Sequence, residues 1–218
     1  MTNIIKIFKK IRKMIDGEDH SLTTLGKISK KNDPFRVLIS TILSSRTKDE
    51  TTYKATNRLF EQFRNAQELS KAPVHQIKKL IKPVGFYKKK SKKIKEVSHI
   101  IVHDYDNNVP NNVQDLIKLP LVGRKTANCV LVYAFNEPAI PVDVHVHRIS
   151  NRLRIVDTKT PEETEKELSK KIQKKYWILI NEYFVRFGQL ICRPINPKCN
   201  SCLLNKECPY GKNIVQNK

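Results

Sequence analysis

The sequence predicts an all-α protein on three observations. Apolar residues recur at helical spacing along most of the chain, as in Ile4, Ile5, Phe8, Ile11 and Ile15. No stretch keeps the two-residue alternation of a strand for long. Helix punctuation is frequent, for example Asp33-Pro34 as a start signal and Pro83 with Gly85 as a break. With 39% hydrophobic residues over 218 positions, the chain is long enough to bury a core in one large or two small domains.

Taken in order, Thr2 to Ile15 reads as an amphipathic helix with lysines opposite the isoleucine stripe, expected to dock on a core. Gly17 to Asn32 reads as polar and irregular. Asp33 then caps a helix with Pro34 in its first turn, and the run PFRVLISTILSS is apolar almost all round, so a central buried helix is expected. Lys48 to Phe63 continues as a helix with Tyr53, Ala55, Leu59, Phe60 and Phe63 on its inner face. Short helices follow at Asn65 to Lys71 and Pro73 to Ile81. After the break, Tyr87 to Tyr105 places Ile94, Val97 and Ile101 on one stripe. The run KKKSKKIK, Lys88 to Lys95, is the densest positive patch; it fits a solvated helix face or a phosphate contact equally well.

Forty-two Lys and Arg against 21 acids give a formal net charge of +21 and imply a polyanionic partner. Nucleic acid is the first candidate and an anionic membrane the second. No apolar run approaches about 18 residues, and no secretory or lipidation signal is present, so a soluble intracellular protein is expected, with no membrane partner.

The stretch Leu119 to Arg152 carries the chemistry. It reads as a Pro/Gly hairpin (Leu119, Pro120, Leu121, Val122, Gly123), a helix from Arg124 to Phe135, a turn at Pro138 to Pro141, and a second helix beginning after Asp143. A turn that opens into a helix aims backbone N–H groups and the positive end of the helix dipole at one spot, which suits a phosphate. Lys125 sits in the first turn beside Arg124, where an ammonium is disfavoured, so its pKa should fall toward what a nucleophilic amine needs. Asp143 is the nearest downstream carboxylate able to take a proton or to stabilise positive charge on a sugar. The plain alternative makes Lys125 a solvated lysine or a simple phosphate contact, and Asp143 only the cap of a helix Val144 to Leu153.

Near the C-terminus, after a helix of about Trp177 to Leu190, four cysteines form C-x6-C-x2-C-x5-C: Cys192, Cys199, Cys202 and Cys208. Four closely spaced thiols in an intracellular protein indicate a metal site rather than two disulfides, and the spacing fits either structural zinc or a four-iron cluster. Cys129 falls on an apolar face and reads as core. His145 and His147 point about 200° apart on a helix and cannot share a metal; His145 can line a pocket, and His147 reads as surface or packing.

The hairpin with GRKTAN, followed by PVDVHVHRISNRL and the cysteine pattern, resembles the endonuclease III family of helix-hairpin-helix DNA glycosylases. The likeness runs from Pro34 to the last cysteine. It implies that Lys125 is the Schiff-base nucleophile, that Asp143 is its partner, and that the four cysteines hold a [4Fe-4S] cluster. In LSSRTKD it places Arg46 where the family usually has a glutamine that fills the space left by an extruded nucleotide. In VGFY it places Phe86 as an apolar wedge. The implied DNA contacts further include Leu121, Gly123, Arg124 and His145, with Arg193 and Lys198 on the loop between the first two cysteines. The family hairpin usually reads L-P-G-V-G; here Leu121 replaces the first glycine, and an ordinary negative φ is expected for it.

The resemblance also implies the architecture: a six-helix domain over residues 27–136, and a cluster domain from residues 1–26 and 137–218, with a cleft between them. The implied function is a bifunctional DNA N-glycosylase and abasic-site lyase that removes oxidised pyrimidines from double-stranded DNA as a monomer. Alternatives are a mismatch thymine or uracil glycosylase, or a non-catalytic DNA-binding module with a structural cluster. An adenine-removing relative would use a glutamate in the buried helix, but no acidic residue occurs between Phe35 and Lys48.

Overall fold

The computed structural model describes residues 4–15, 23–29 and 33–216, and among these every regular element is helical. In chain order the helices are α1 (Ile4–Ile15), α2 (Thr24–Ser29), α3 (Pro34–Ser44), α4 (Asp49–Gln62), α5 (Ala66–Lys71), α6 (Val74–Ile81), α7 (Tyr87–His103), α8 (Val113–Leu116), α9 (Arg124–Phe135), α10 (Val144–Arg152), α11 (Pro161–Lys171), α12 (Trp177–Leu190) and α13 (Pro209–Gln216). They fall into two compact units, Thr24–Glu137 and Met1–Thr23 with Pro138–Lys218. No helix among the described residues is long and apolar enough to cross a membrane. The helix start expected at Thr2 and most of the 17–32 stretch lie outside the described residues.

In the unit Thr24–Glu137, α3 is the central element and packs against α2, α4, α7 and α9. Its start follows from Asp33, whose carboxylate accepts the Arg36 N–H at 3.0 Å, and from Pro34 in the first turn, where no N–H is needed. Val37, Leu38, Ile39 and Leu43 are fully buried. Ser40 and Thr41 are buried with them because each hydroxyl donates to its own helix, to the Arg36 and Val37 carbonyls at 2.5 and 2.7 Å. α9 ends at Asn136, whose left-handed backbone (φ 54°) lets its N–H return to the Leu131 carbonyl.

Several sequence expectations are corrected here. The polar stretch 17–32 contains α2, whose Leu25 and Ile28 are buried. Tyr53 is 37% exposed; the inner face of α4 is made by Thr52, Ala55, Thr56, Leu59 and Phe60. The lysine run on α7 is not one solvated face, since Lys90 is only 4% exposed. Leu121 has φ 64°, not a negative φ. The reason is the turn: Val122 N–H donates to the Leu119 carbonyl at 3.1 Å, Pro120 occupies the second position, and the third position of such a type II turn is left-handed. Leu119 and Val122 are buried at 2% and 5% exposure, whereas Leu121 points outward at 40%. Burial of the two anchors offsets the cost of a left-handed leucine, about 1–2 kcal/mol.

In the other unit, α12 packs against α1 and α10, and α10 packs against α11. Ile7, Phe8, Ile11 and Ile15 of α1 join Val146, Ile149, Ile180, Phe184 and Phe187 in one core, with Phe8 edge-on to Phe184 at 6.1 Å. α11 starts on a full capping box, in which the Thr160 hydroxyl accepts the Glu163 N–H and the Glu163 carboxylate accepts the Thr160 N–H. Lys6 and Lys10 both reach Glu207 at 2.9 Å, tying α1 to the segment between the last two cysteines. Those two ammonium groups lower the Glu207 carboxyl to about 2.

Candidate functional site

In the unit Thr24–Glu137, the hairpin Leu119–Gly123 leads straight into α9. Gly123 is extended (φ −92°, ψ 178°) and gives α9 no side-chain cap. A Cβ built on Gly123 would meet nothing within 4 Å. The positive end of the α9 dipole thus has no side-chain cap and lies beside open space at Gly123, a geometry suited to a phosphate oxygen. Arg124 is exposed and Lys125 half-buried in this first turn.

The same unit joins the two other loops singled out in the sequence. Arg46 follows the end of α3 and Phe86 immediately precedes α7. Both are left-handed, with φ 51° and 57°. The Arg46 guanidinium lies over the Phe86 ring at 5.6 Å, and Phe86 is 60% exposed, so it is not a core aromatic. The backbones nearly touch: a Cβ on Gly85 would sit 2.4 Å from the Arg46 carbonyl oxygen, and the Gly85 N–H donates to Thr47 Oγ1 at 3.1 Å. Left-handed non-glycine residues held this way are strained positions of the sort that cluster at binding sites.

Sequence reasoning missed what lies beneath that pair. The Lys90 ammonium donates to the Leu43 carbonyl at 2.8 Å, to the Ser45 carbonyl at 2.6 Å and to Thr47 Oγ1 at 3.5 Å. Burial lowers its pKa from 10.5 to about 8. A signal was present, because Lys90 lies one helical turn before Ile94 on the stripe that Ile94, Val97 and Ile101 define.

In the other unit, Asp143 is the cap of α10, with both hydrogen bonds on one oxygen: Oδ1 accepts the His145 and Val146 N–H groups, each at 2.9 Å. The cap leaves Oδ2 available to a reacting group. His145 packs against α12 at Gly188, where a Cβ would come within 2.4 Å of the ring, and Arg148 Nη2 lies 3.0 Å from His145 Nδ1. His147 is a packing residue, 2.7 Å from Thr164 Oγ1.

Cys192, Cys199, Cys202 and Cys208 line one small pocket together with Arg152 and Tyr210. Burial pushes the Cys202 thiol up to about 11 and raises Cys208 as well; the neighbouring cysteines add to both. Backbone N–H groups of Leu204 and Gly211 point at Cys202 and Cys208 Sγ, both at 3.4 Å, and Arg152 Nη1 reaches Cys192 Sγ at 3.5 Å. Among the described residues no three such side chains converge closely enough to hold a single metal ion. A pocket lined by four thiols and supplied with N–H···S donors fits a thiolate-ligated metal centre.

Arg152 is the second residue the sequence did not flag. It donates to the Arg193 carbonyl at 2.7 Å and to the Pro194 carbonyl and Tyr210 hydroxyl at 3.0 Å, and stacks 3.9 Å from the Tyr210 ring centre. It thereby braces the loop that carries the exposed Arg193 and Lys198. Cys129 is buried in α9.

Comparison with known proteins places this arrangement. Residues 39–174 match the family profile "HhH-GPD superfamily base excision DNA repair protein". Endonuclease III of Thermotoga maritima is 51% identical over 193 residues, covering 87% of this chain and 91% of that one. Among solved structures, a non-covalent endonuclease III–DNA complex aligns with a TM-score of 0.86 at 33% identity, covering 98% of this chain and 97% of the other. A trapped endonuclease III–DNA covalent intermediate aligns at 0.85 and 33%, covering 97% of each chain. The chain belongs to the HhH-GPD superfamily of base excision DNA repair proteins, and within it to the endonuclease III family.

Proposed function

We propose that this protein is a bifunctional DNA N-glycosylase and abasic-site lyase acting on oxidised pyrimidines in duplex DNA. The observation that carries the reading is Lys125, half-buried in the first turn of a helix with no side-chain cap, directly after a hairpin open at Gly123. The duplex is held by its phosphates at the N–H groups of α9 and by Arg124, Arg193 and Lys198. Leu121 and His145 line the path of the strand, and the damaged nucleotide is turned out of the stack. Arg46 and Phe86 fill the gap it leaves.

Lys125, as a free amine, attacks C1′ of the extruded deoxyribose while the C1′–N bond breaks and the base departs with the electron pair. Asp143 accepts a proton and stabilises the cationic sugar through the oxygen its cap does not use. The Lys125 nitrogen then gives up a proton and forms the C1′=N bond as C1′–O4′ breaks, O4′ leaving with the electron pair and taking a proton. The Schiff base so formed draws electrons from the neighbouring C2′–H. Loss of that proton expels the 3′ phosphate by β-elimination and cuts the strand.

Cys192, Cys199, Cys202 and Cys208 are the residues to hold a [4Fe-4S] cluster. When bound it supplies a four-thiolate cross-link that fixes the C-terminal segment, and with it the loop carrying Arg193 and Lys198. Cys199→Ala is expected to lose DNA affinity or fail to fold. A folded variant that binds duplex as tightly as wild type refutes the structural role.

Borohydride trapping tests the nucleophile. Wild type should form a covalent protein–DNA adduct on an abasic-site duplex, and Lys125→Ala should form none; an adduct that survives the substitution refutes the assignment. A panel of duplexes holding oxidised pyrimidines, abasic sites, G·T and G·U separates the substrate from the alternative: activity on mismatches alone makes this a mismatch glycosylase with the same chemistry.

A further inference from the structure

We infer that Lys90, buried beneath the loops that carry Arg46 and Phe86, is a positioning residue that sets opposite-base discrimination by fixing the Arg46 backbone. The inference rests on the glycosylase reading above and extends it to a side chain that touches no DNA.

Three features carry it. First, Lys90 Nζ gathers the Leu43 and Ser45 carbonyls and Thr47 Oγ1, three acceptors that bracket Arg46 on both sides. Leu43 is in the last turn of α3, where carbonyls lack intrahelical partners and the dipole favours a cation. Second, the Arg46 backbone is left-handed, a conformation that an arginine leaves unless its surroundings hold it. Third, the same Thr47 hydroxyl receives the Gly85 N–H, so one buried contact set links the loop of Arg46 to the loop of Phe86. Lys90 is itself anchored in the first turn of α7, its N–H bonded to the Phe86 carbonyl at 3.0 Å. One ammonium therefore ties the residue facing the opposite base to the residue that wedges the stack, while Arg46 and Phe86 stay exposed to solvent.

A cation in this place does what a hydroxyl or amide cannot do alone. An ammonium has three donors and no acceptor, so it can satisfy all three oxygens at once. A methionine of similar length fills the volume, leaves the buried Leu43 carbonyl without the ammonium, and takes from the Ser45 carbonyl its closer donor, with only the Thr47 hydroxyl at 3.2 Å remaining. The loop then relaxes toward the ordinary α or β backbone, and the Arg46 guanidinium no longer projects from one fixed point.

The test is a double-mutant cycle on the full-length protein, reading excision kcat/KM with an oxidised pyrimidine opposite each of the four bases. Lys90→Met should lower the rate roughly 10- to 100-fold, the loss expected when a positioned group is displaced by about 1 Å. It should also compress the ratio between the best and worst opposite base, as Arg46→Ala does. In the Arg46→Ala background, Lys90→Met should cost less than about threefold more, because the group it positions is already gone.

Thr47→Val, which removes the shared hydroxyl but keeps the ammonium, should shift the ratio in the same direction by less. It serves if Lys90→Met fails to fold. Borohydride trapping on a single-stranded abasic oligonucleotide, which needs no extrusion, should stay within about twofold of wild type for both variants. Unchanged opposite-base ratios, or losses that multiply independently with Arg46→Ala, overturn the role of Lys90. Absence of excision and trapping in wild type overturns instead the glycosylase reading on which it rests.

Discussion

Gly85→Ala adds one methyl group at the tightest backbone contact of the Arg46–Phe86 pair. The new Cβ would lie 2.4 Å from the Arg46 carbonyl oxygen and 3.4 Å from both the Arg46 carbonyl carbon and Thr47 Oγ1. The first of these is backbone, so no side chain can swing aside. An ordinary carbon–oxygen contact needs roughly 1 Å more, in line with the 3.5–4.0 Å optimum for carbon pairs. The loops must separate by about that amount, which stretches the 3.1 Å Gly85–Thr47 hydrogen bond past its useful range.

Overpacking of this sort costs about 1–3 kcal/mol, and the lost hydrogen bond adds about 0.5–1.5 kcal/mol. The smaller unfolded-state entropy of alanine returns about 0.4–1 kcal/mol, since Gly85 has no positive φ to give up. The net expectation is a loss of about 2 kcal/mol. Urea unfolding followed by circular dichroism measures it as a lower midpoint at constant slope. A midpoint equal to that of wild type refutes the steric argument, and with it the claim that these two loops are held as one body.

Gly123→Ala makes the opposite prediction: with open space around the position and an extended φ, the free protein should hold or gain about 0.4–1 kcal/mol. Duplex affinity in a filter-binding or anisotropy titration should nevertheless fall, because the methyl group stands where a phosphate approaches; unchanged affinity counts against the hairpin as the phosphate site. Lys90 gives a pH dependence. The unfolded chain keeps this proton up to about 10.5, whereas the folded protein releases it near 8. The group therefore penalises folding most fully below pH 8, and the penalty fades as pH rises to 10.5. At about 1.4 kcal/mol per tenfold change in proton affinity, the ceiling on this gain is roughly 3 kcal/mol. Lys90→Met should flatten the stability profile across that window, and an identical slope in both proteins shows that Lys90 is not the group responsible.

The helices with many apolar residues were legible in the sequence. α9 and α12 have the bounds their patterning indicates, and the α3 start follows from Asp33 and Pro34, because cap chemistry and periodicity agree there. α2 was not legible: six residues with a glycine inside carry too little local preference, and it forms because Leu25 and Ile28 are covered by packing against α3. α11 was overlooked although T-P-E-E announces its capping box. Reading KKKSKKIK as a charge run hid the one lysine that points inward. Lys125 and Asp143 could be picked out only by resemblance, since motif spacing does not distinguish a nucleophile from a surface lysine. The support that Arg152 gives the cysteine loop comes from tertiary contacts that no local pattern encodes.

Leu121 has a practical consequence. The hairpin tip takes its shape from Pro120 and the two buried anchors, so the chain accepts a left-handed leucine where an achiral residue would fit without cost. A pattern search that insists on glycine at this place would discard a competent protein. A template for finding such enzymes should instead specify the proline, the apolar pair around the tip, and an unobstructed backbone just before the helix.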